Sequence, residues 1–440
     1  MKKIFPVFLF LSLNLGFSQN NLLQSGPMVG YCEMKEAVIW LQTEANVPVK
    51  IEYFALDNPN AIFYSETYNS SKEAGFTYHV ILDKLEPGKK YKYNVYLNNK
   101  KVVLPYETSF SSKKLWQWRE DAPDFTVAFG SCMYINETAL DRPGKPYGGN
   151  YSIIENLSKK NADIMIWGGD NTYLREADWD SKTGIYHRYS HSRSIKELQP
   201  LLAKTQNYAI WDDHDYGPND SDRSFYYKHL TQNAFKDFWA NKSYGLDANQ
   251  KEGICSTFSW SDADFFLLDN RFFKSPNNRK TGEKTILGKN QLKWLIDALS
   301  FSKASFKIIV IGGQVLNSEA KSENYECYKD EKNYLLEQIK NNNIKGVFFL
   351  SGDIHSSELS KIAISGTQNI YDWTVSPLTA GIHVADKSNK NRVEGSAFAE
   401  NCFGIISFSG NKETRQMKLT LFNKEGKELW NKVILKKELE

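Results

Sequence analysis

The stretch IMIWGGDNTY, residues 164–173, couples four consecutive apolar residues to two glycines, an aspartate and, three residues later, a tyrosine. A short apolar run of this composition reads as a strand buried on both faces. The glycines allow a sharp turn and close backbone approach at its carboxyl end, which presents Asp170 and Tyr173. The same grammar recurs three times. Val127–Phe129 leads through Gly130 and Ser131 to Cys132; Tyr208–Trp211 leads to Asp212, Asp213, His214 and Asp215; Val347–Leu350 leads to Asp353 and His355. Sites in open α/β sheets form beyond the carboxyl ends of the strands, so these four distant segments are expected to meet in one place.

Around these motifs the chain has 440 residues, 41% hydrophobic and 24% charged, a globular composition with room for two or three domains at roughly 150 residues each. The formal net charge is +3, and Lys2 and Lys3 supply two of those charges. They begin a segment, residues 1–18, with an apolar stretch from Ile4 to Leu15 and small residues Gly16 and Ser18 before Gln19, the layout of a cleavable secretory signal peptide. Its apolar stretch falls short of the ~20 residues that a membrane span needs. A secreted or periplasmic protein is therefore expected, without stable membrane insertion and, at a mature net charge near +1, without a nucleic-acid-binding surface. Five cysteines, at 32, 132, 255, 327 and 402, leave at least one thiol without a disulfide partner. Cys132, at a strand end, is the candidate for a thiol in use.

From Leu22 to about Ser112 short runs alternate apolar and polar residues: Ala37–Leu41, Val49–Phe54, Phe76–Leu82, Tyr91–Leu97 and Val102–Phe110. That pattern predicts a small antiparallel β-sandwich over residues 19–112, followed by a linker at 113–124. Its string LEPGKKYKYNVYL, Leu85 to Leu97, resembles the turn and penultimate strand of fibronectin type III-like domains. From residue 125 to 410 strands alternate with amphipathic stretches at Tyr151–Ser158, Ser194–Ala203, Phe225–Ala240, Asn290–Leu299 and Glu331–Lys340, which predicts a layered α/β domain. Thr257–Trp260, Asp264–Leu268 and Lys307–Ile311 add strands. Residues 411–440 read as an edge extension whose hairpin, Gln416 to Leu435, turns at Lys424–Lys427. Two loops, Asp141–Asn150 and Asp178–Ser192, follow the strand ends that carry Cys132 and Asp170 and are expected to wall the site.

The clustered residue types suit phosphate-ester hydrolysis, which needs a nucleophile stronger than neutral water and compensation of charge on the phosphoryl and leaving oxygens. A two-metal site supplies both, through a metal-bound hydroxide and a clamp on the attacking and leaving oxygens. Asp170 is the expected bridge. Cys132 and the Tyr173 phenol would favour a highly charged ion such as Fe(III), with His355 completing its shell. Asp213 and Asp353 suit an oxygen-preferring second ion such as Ca(II), Mg(II) or Mn(II), and Co(II) or Zn(II) are compatible with parts of the set. His214, among carboxylates, is expected to hold its proton near neutral pH and to serve the leaving group as general acid, with Asp213 beside it. Asn219 and Asp220 are within sequence reach of a metal or substrate. Arg271, in LLDNR after another strand, fits either a phosphate clamp or an internal ion pair.

These residues resemble the calcineurin-like metallophosphoesterase superfamily and, more closely, the secreted alkaline phosphatase D family. Gly130-Ser131-Cys132 stands where the superfamily has its first D-x-H motif, and Gly169-Asp170 with Tyr173 matches the GD motif and the Asp-x-x-Tyr pair of purple acid phosphatases. Asp212-Asp213-His214-Asp215 replaces G-N-H-[DE], and Gly352-Asp353-Ile354-His355 replaces G-H-x-H. LLDNR and LGKNQLKWLIDAL, Leu287 to Leu299, are also similar to family strings, and the similarity runs from about Phe125 to Phe403. It implies a four-layer α/β/β/α sandwich, an Fe(III) ion paired with Ca(II), and phosphomonoesterase or phosphodiesterase activity. Two features depart from the pattern: a Lys2-Lys3 leader where twin arginines are common, implying unfolded export and metal loading outside, and Asn171-Thr172 as the spacer where aliphatic residues are common.

Two other readings give different expectations. A binding or adhesion protein carrying an inert metal domain predicts degraded ligands, yet none of the key positions is missing. A specialised esterase acting on phospholipid, phytate or nucleotide would keep every motif and differ only in its pocket loops. A monomer acting on a small phosphate ester is the expectation taken forward.

Overall fold

The computed structural model describes residues 22–440 apart from 248, 250, 367 and 386, so the leader expected at 1–18 lies outside the described residues. The first strands are β1 (Leu23–Cys32), β2 (Ala37–Thr43), β3 (Val49–Ala55), β4 (Phe63–Tyr64), β5 (Thr77–Leu82), β6 (Lys90–Leu97), β7 (Lys100–Lys101) and β8 (Ser109–Ser111). They form two antiparallel sheets, β1-β2-β5 and β4-β3-β6-β7 with β8 also on β6. Strand β6 shows why: Tyr91, Tyr93, Val95 and Leu97 alternate into the core while Lys90 and Lys92 face water. Leu85, just before the turn into this strand, is buried in the same core. The strand expected at Val102–Phe110 is only Ser109–Ser111, because Pro105 has no N–H for a ladder. Conversely, β1 contains Gly26-Pro27, which reads as a breaker, and joins β2 through several register shifts.

The larger region contains β9 (Phe125–Gly130), β10 (Ile164–Gly168), β11 (Gln206–Ile210), β12 (Ser256–Trp260), β13 (Ala263–Leu267), β14 (Phe306–Val310), β15 (Val347–Ser351), β16 (Glu358–Ser365), β17 (Gln368–Thr374), β18 (Cys402–Ser409), β19 (Gln416–Asn423) and β20 (Glu428–Leu435). Its helices are α1 (Ser152–Ser158), α2 (Lys182–Arg193), α3 (Gln199–Leu202), α4 (Asp213–Tyr216), α5 (Lys228–Phe238), α6 (Gly288–Phe301) and α7 (Lys329–Asn341). Two six-stranded mixed sheets, β11-β10-β9-β18-β19-β20 and β12-β13-β14-β15-β17-β16, stack between helices as a four-layer sandwich. Strand periodicity sets the layers. Ile308, Val310, Phe348 and Leu350 face the other sheet, whereas Ile309, Ile311, Val347 and Phe349 pack with Leu292, Leu295, Leu335 and Ile339 of α6 and α7. The C-terminal hairpin β19–β20 adds to the free side of β18.

The segment expected as a loop at Asp178–Ser192 contains helix α2, while the helix expected at Ser194–Ala203 is confined to α3. Ser181 caps α2 by accepting from the Gly184 N–H at 3.0 Å. Its buried face is Ile185, Tyr186, Arg188, Tyr189, Ser192 and Arg193, with too few apolar residues to show a helical stripe. Burial of Arg188 rests on Asp178, whose Oδ2 accepts from Nε at 2.8 Å.

Candidate metal centre

Strands β9, β10 and β11 are parallel neighbours in one sheet, and β13, β14 and β15 in the other. Their carboxyl ends deliver Cys132, Asp170, Asp212–Asp213, Asp269–Arg271 and Asp353 to one crevice. Backbone geometry is unusual there. Cys132, Asp170, Asp353 and His355 all have left-handed φ, at 58°, 53°, 69° and 55°. For non-glycine residues this conformation costs on the order of 1 kcal/mol each, and such strain persists where the surroundings over-determine it, typically at functional sites. The layers meet closely enough that a Cβ on Gly352 would lie 2.3 Å from Ser131 Oγ, and one on Gly169 would lie 2.8 Å from Asp212 Cβ.

Ligand atoms of Cys132, Asp170 and His355 lie within 4.8 Å of one another, and so do those of Asp170, Asp213 and His214. Two further sets share this property: Asp212, Asp213 and Asp353, and Asp213, Asp220 and Glu323. Asp170 belongs to the first two sets, and Asp213 links the last three. The Tyr173 hydroxyl is 3.2 Å from His355 Nε2, and the Tyr147 hydroxyl is 3.2 Å from His355 Nδ1. Ser376 Oγ donates to Cys132 Sγ at 3.2 Å and accepts from the His355 N–H at 3.1 Å, tying two chain segments together.

Ionising these groups together is unfavourable without a cation. Burial, followed by the charges of Asp213 and Asp212, pushes the Asp170 carboxyl well above the usual range. Burial with Asp212 and Asp213 does the same to Asp353, and burial with Asp170 raises the Cys132 thiol and Tyr173 phenol. Burial also opposes ionisation of Asp213, but His214 and Arg271 hold it below the ordinary carboxylate range. Asp212 Oδ2, Asp213 Oδ1 and His214 Nδ1 are buried without a hydrogen-bond partner among the described residues. Such groups are normally satisfied, so unpaired acceptors beside a thiol, a phenol and an imidazole fit metal ions.

The carboxylates around His214 are outweighed: burial, with Arg175 and Arg271, lowers its pKa, and Asp213 opposes this without prevailing. Its backbone N–H donates to Asp170 Oδ1 at 3.2 Å, and its ring is 4.4 Å from that of Tyr173. His355 is pulled down to about 4 by burial and by His383, whose ring stacks on it at 4.7 Å.

Arg271 turns toward internal carboxylates. It is buried, bonds Asp212 and Glu323, and stands 3.9 Å from Asp213 Oδ1. Asn219 is exposed beside Asp220, whose N–H donates to Asp213 Oδ2 at 2.7 Å. Sequence reasoning missed Glu323, Tyr147, Arg175, Ser376 and His383. Ser376 had a signal, since it follows the apolar end of β17 as the other site residues follow their strands. Glu323 had none, lying in a polar loop where it and Ser322 take left-handed φ of 49° and 45°.

Residues 127–403 match a family model described as PhoD-like phosphatase, and residues 20–115 match one described as a domain of unknown function (DUF7800). Alkaline phosphatase D of Bacillus subtilis (strain 168) is 22% identical over 392 residues, covering 78% of this chain and 64% of that protein. This chain thus spans less than two thirds of that relative's length. A solved structure of PhoD superposes with a TM-score of 0.76 at 17% identity, covering 94% of this chain and 89% of that one. A purple acid phosphatase from yellow lupin (Lupinus luteus) seeds superposes with a TM-score of 0.67 at 11% identity, covering 93% and 74%. At these identities the two structures speak for the fold alone.

Proposed function

Since the chain belongs to the PhoD-like phosphatase family, we propose that it is an exported, metal-dependent phosphoesterase acting on small phosphate monoesters and diesters. The supporting observation is the convergence of Cys132, Asp170 and His355 within 4.8 Å, with Asp213 and His214 on the other side of Asp170. Cys132, Asp170, Tyr173 and His355 would hold the first cation, for which Fe(III) suits the thiolate and phenolate. Asp170, Asp213 and Asp353 would hold the second, with Asn219 at its rim, and Ca(II), Mg(II) or Mn(II) suits the carboxylates. When bound, such a pair supplies activated water near neutral pH and a clamp on the attacking and leaving oxygens.

The remaining steps belong to the chain. His214, with Nδ1 free of hydrogen-bond partners among the described residues, passes a proton to the leaving-group oxygen as the ester bond breaks. Arg271 positions Asp213 through the network with Asp212 and Glu323. Asp215 fixes the Asp170 loop, accepting from the Asn171 and Thr172 N–H groups and from Asp212 N–H, each at 3.0 Å. Residues 1–18 serve as the export signal, 19–112 as an accessory sandwich joined by 113–124, 125–410 as the catalytic region and 411–440 as its edge extension. Among the described residues no helix is long and apolar enough to cross a membrane.

The test is hydrolysis of p-nitrophenyl phosphate and its bis ester by purified protein, with and without chelator. Metal-dependent release of p-nitrophenol that is lost in Cys132→Ala and Asp170→Asn is expected. Full activity in both variants would sink the assignment.

A further inference from the structure

Five arginines are buried: Arg175, Arg188, Arg193, Arg271 and Arg415. A buried guanidinium is costly unless its charge and donors are matched. Arg188, Arg271 and Arg415 each meet carboxylates, Asp178, Asp212 and Asp262 respectively. Arg193 lies 3.8 Å from the Trp239 ring centre and 5.5 Å from that of Trp40, and it donates to the Phe238 carbonyl at 3.2 Å. This places it in the joint between the two regions. Arg175 is different. It is 8% exposed, and its guanidinium makes one hydrogen bond among the described residues, from Nε to the Tyr134 hydroxyl at 3.2 Å. That hydroxyl in turn donates to Asp141, so among the described residues the guanidinium's hydrogen bond reaches a carboxylate through a tyrosine.

Its surroundings lead to the candidate metal ligands. The guanidinium carbon is 4.8 Å from the Tyr134 ring centre, 5.6 Å from that of Tyr173 and 6.0 Å from that of Tyr147. Tyr173 and Tyr147 both contact His355, and Tyr147 is 41% exposed. Three aromatic faces, one of them the candidate ligand Tyr173, hold the cation beside the candidate metal ligands, with both terminal nitrogens free of acceptors among the described residues. The other buried cations beside the cluster, Arg271 and Lys274, are both engaged by Glu323.

Resting on the phosphoesterase reading, we propose that Arg175, framed by Tyr134, Tyr147 and Tyr173, forms an outer subsite for a second acidic group on the alcohol half of the ester. The preferred substrates are phosphate esters whose leaving alcohol carries a carboxylate or a further phosphate. A planar guanidinium with two unused terminal nitrogens matches either group in bidentate fashion, and the aromatic frame lowers the local dielectric in which that contact forms.

The experiment compares glycerate 2-phosphate with glycerol 2-phosphate, which differ by one carboxylate on the leaving alcohol, using p-nitrophenyl phosphate as reference. The wild-type protein is expected to favour the acidic ester about tenfold in kcat/KM, the scale of one charge-assisted hydrogen bond, with the difference in KM. In Arg175→Gln the ratio falls to about one, and Arg175→Lys keeps part of it. Raising salt from about 0.05 to about 0.5 M shrinks the wild-type ratio, a readout independent of how the variants fold. Cleavage of p-nitrophenyl phosphate without selection between the glycerol esters, an unchanged ratio in Arg175→Gln, or a salt-insensitive ratio overturns this inference alone. No cleavage of any of the three esters overturns the phosphoesterase reading together with it.

Discussion

Cys132 Sγ lies 3.7 Å from Asp170 Oδ2, with both side chains buried and both backbones in the left-handed region. A thiol and a carboxyl that close can ionise together only if a cation lies between them, which separates a ligand pair from two inert core residues. Replacing Cys132 with Ser keeps the volume and removes the thiolate. Loss of one cation per chain is expected, with activity falling at least ~100-fold, since weakening even outer partners of a ligand costs up to about that much. Elemental analysis of the variant checks it; wild-type metal content in Cys132→Ser would refute thiolate ligation.

His214 acts on the leaving group, so its effect should scale with how poor that group is. His214→Asn is expected to lower kcat by about 100-fold or more for an alkyl phosphate, within the range for general acid–base groups, and by less for p-nitrophenyl phosphate. Metal content should stay at the wild-type level. Equal losses on both esters, or loss of a cation, would move His214 from proton handling to ligation.

Asp372 offers a test of the second sheet that is independent of metals. Ser351 Oγ donates to its Oδ1 at 2.7 Å, and the Val315 and Leu316 N–H groups donate to its Oδ2 at 2.7 and 2.9 Å. Burial outweighs these bonds and pushes the carboxyl up from 3.8 to about 6. Between those values the unfolded chain releases a proton that the folded chain keeps, so the folded state binds more protons and stability falls as pH rises. Asp372→Asn removes the titration while preserving shape. The stability of wild type relative to this variant should therefore decline by about 2 kcal/mol from pH 4 to 6, read from urea unfolding. A difference that is flat with pH would contradict the buried, protonated carboxyl.

Much of this architecture was legible because strand ends carry it. The runs before Cys132, Asp170, Asp212 and Asp353 are short and apolar throughout, and each became a buried strand of a parallel set. Helix α2 was not legible, since its inward face is built from Tyr186, Arg188, Tyr189 and Arg193, which only ion pairs and ring contacts make buriable. The surroundings of His214 were not legible, because sequence shows the adjacent aspartates but not the burial, nor Arg175 and Arg271, which arrive from elsewhere in the chain and lower its pKa. Arg271 itself was ambiguous until Glu323, 52 positions later, supplied the partner that turns it inward.

The central claim is that separate loops cage a pair of cations around Asp170. The direct measurement is metal stoichiometry, by elemental analysis with a visible spectrum, of wild type and Asp170→Asn purified without added metal. Two cations per wild-type chain, iron among them with a tyrosinate absorption, and fewer than one in the variant are the expected result. Equal metal content in the two proteins, or a colourless metal-free wild type that still cleaves phosphate esters at full rate, would contradict it.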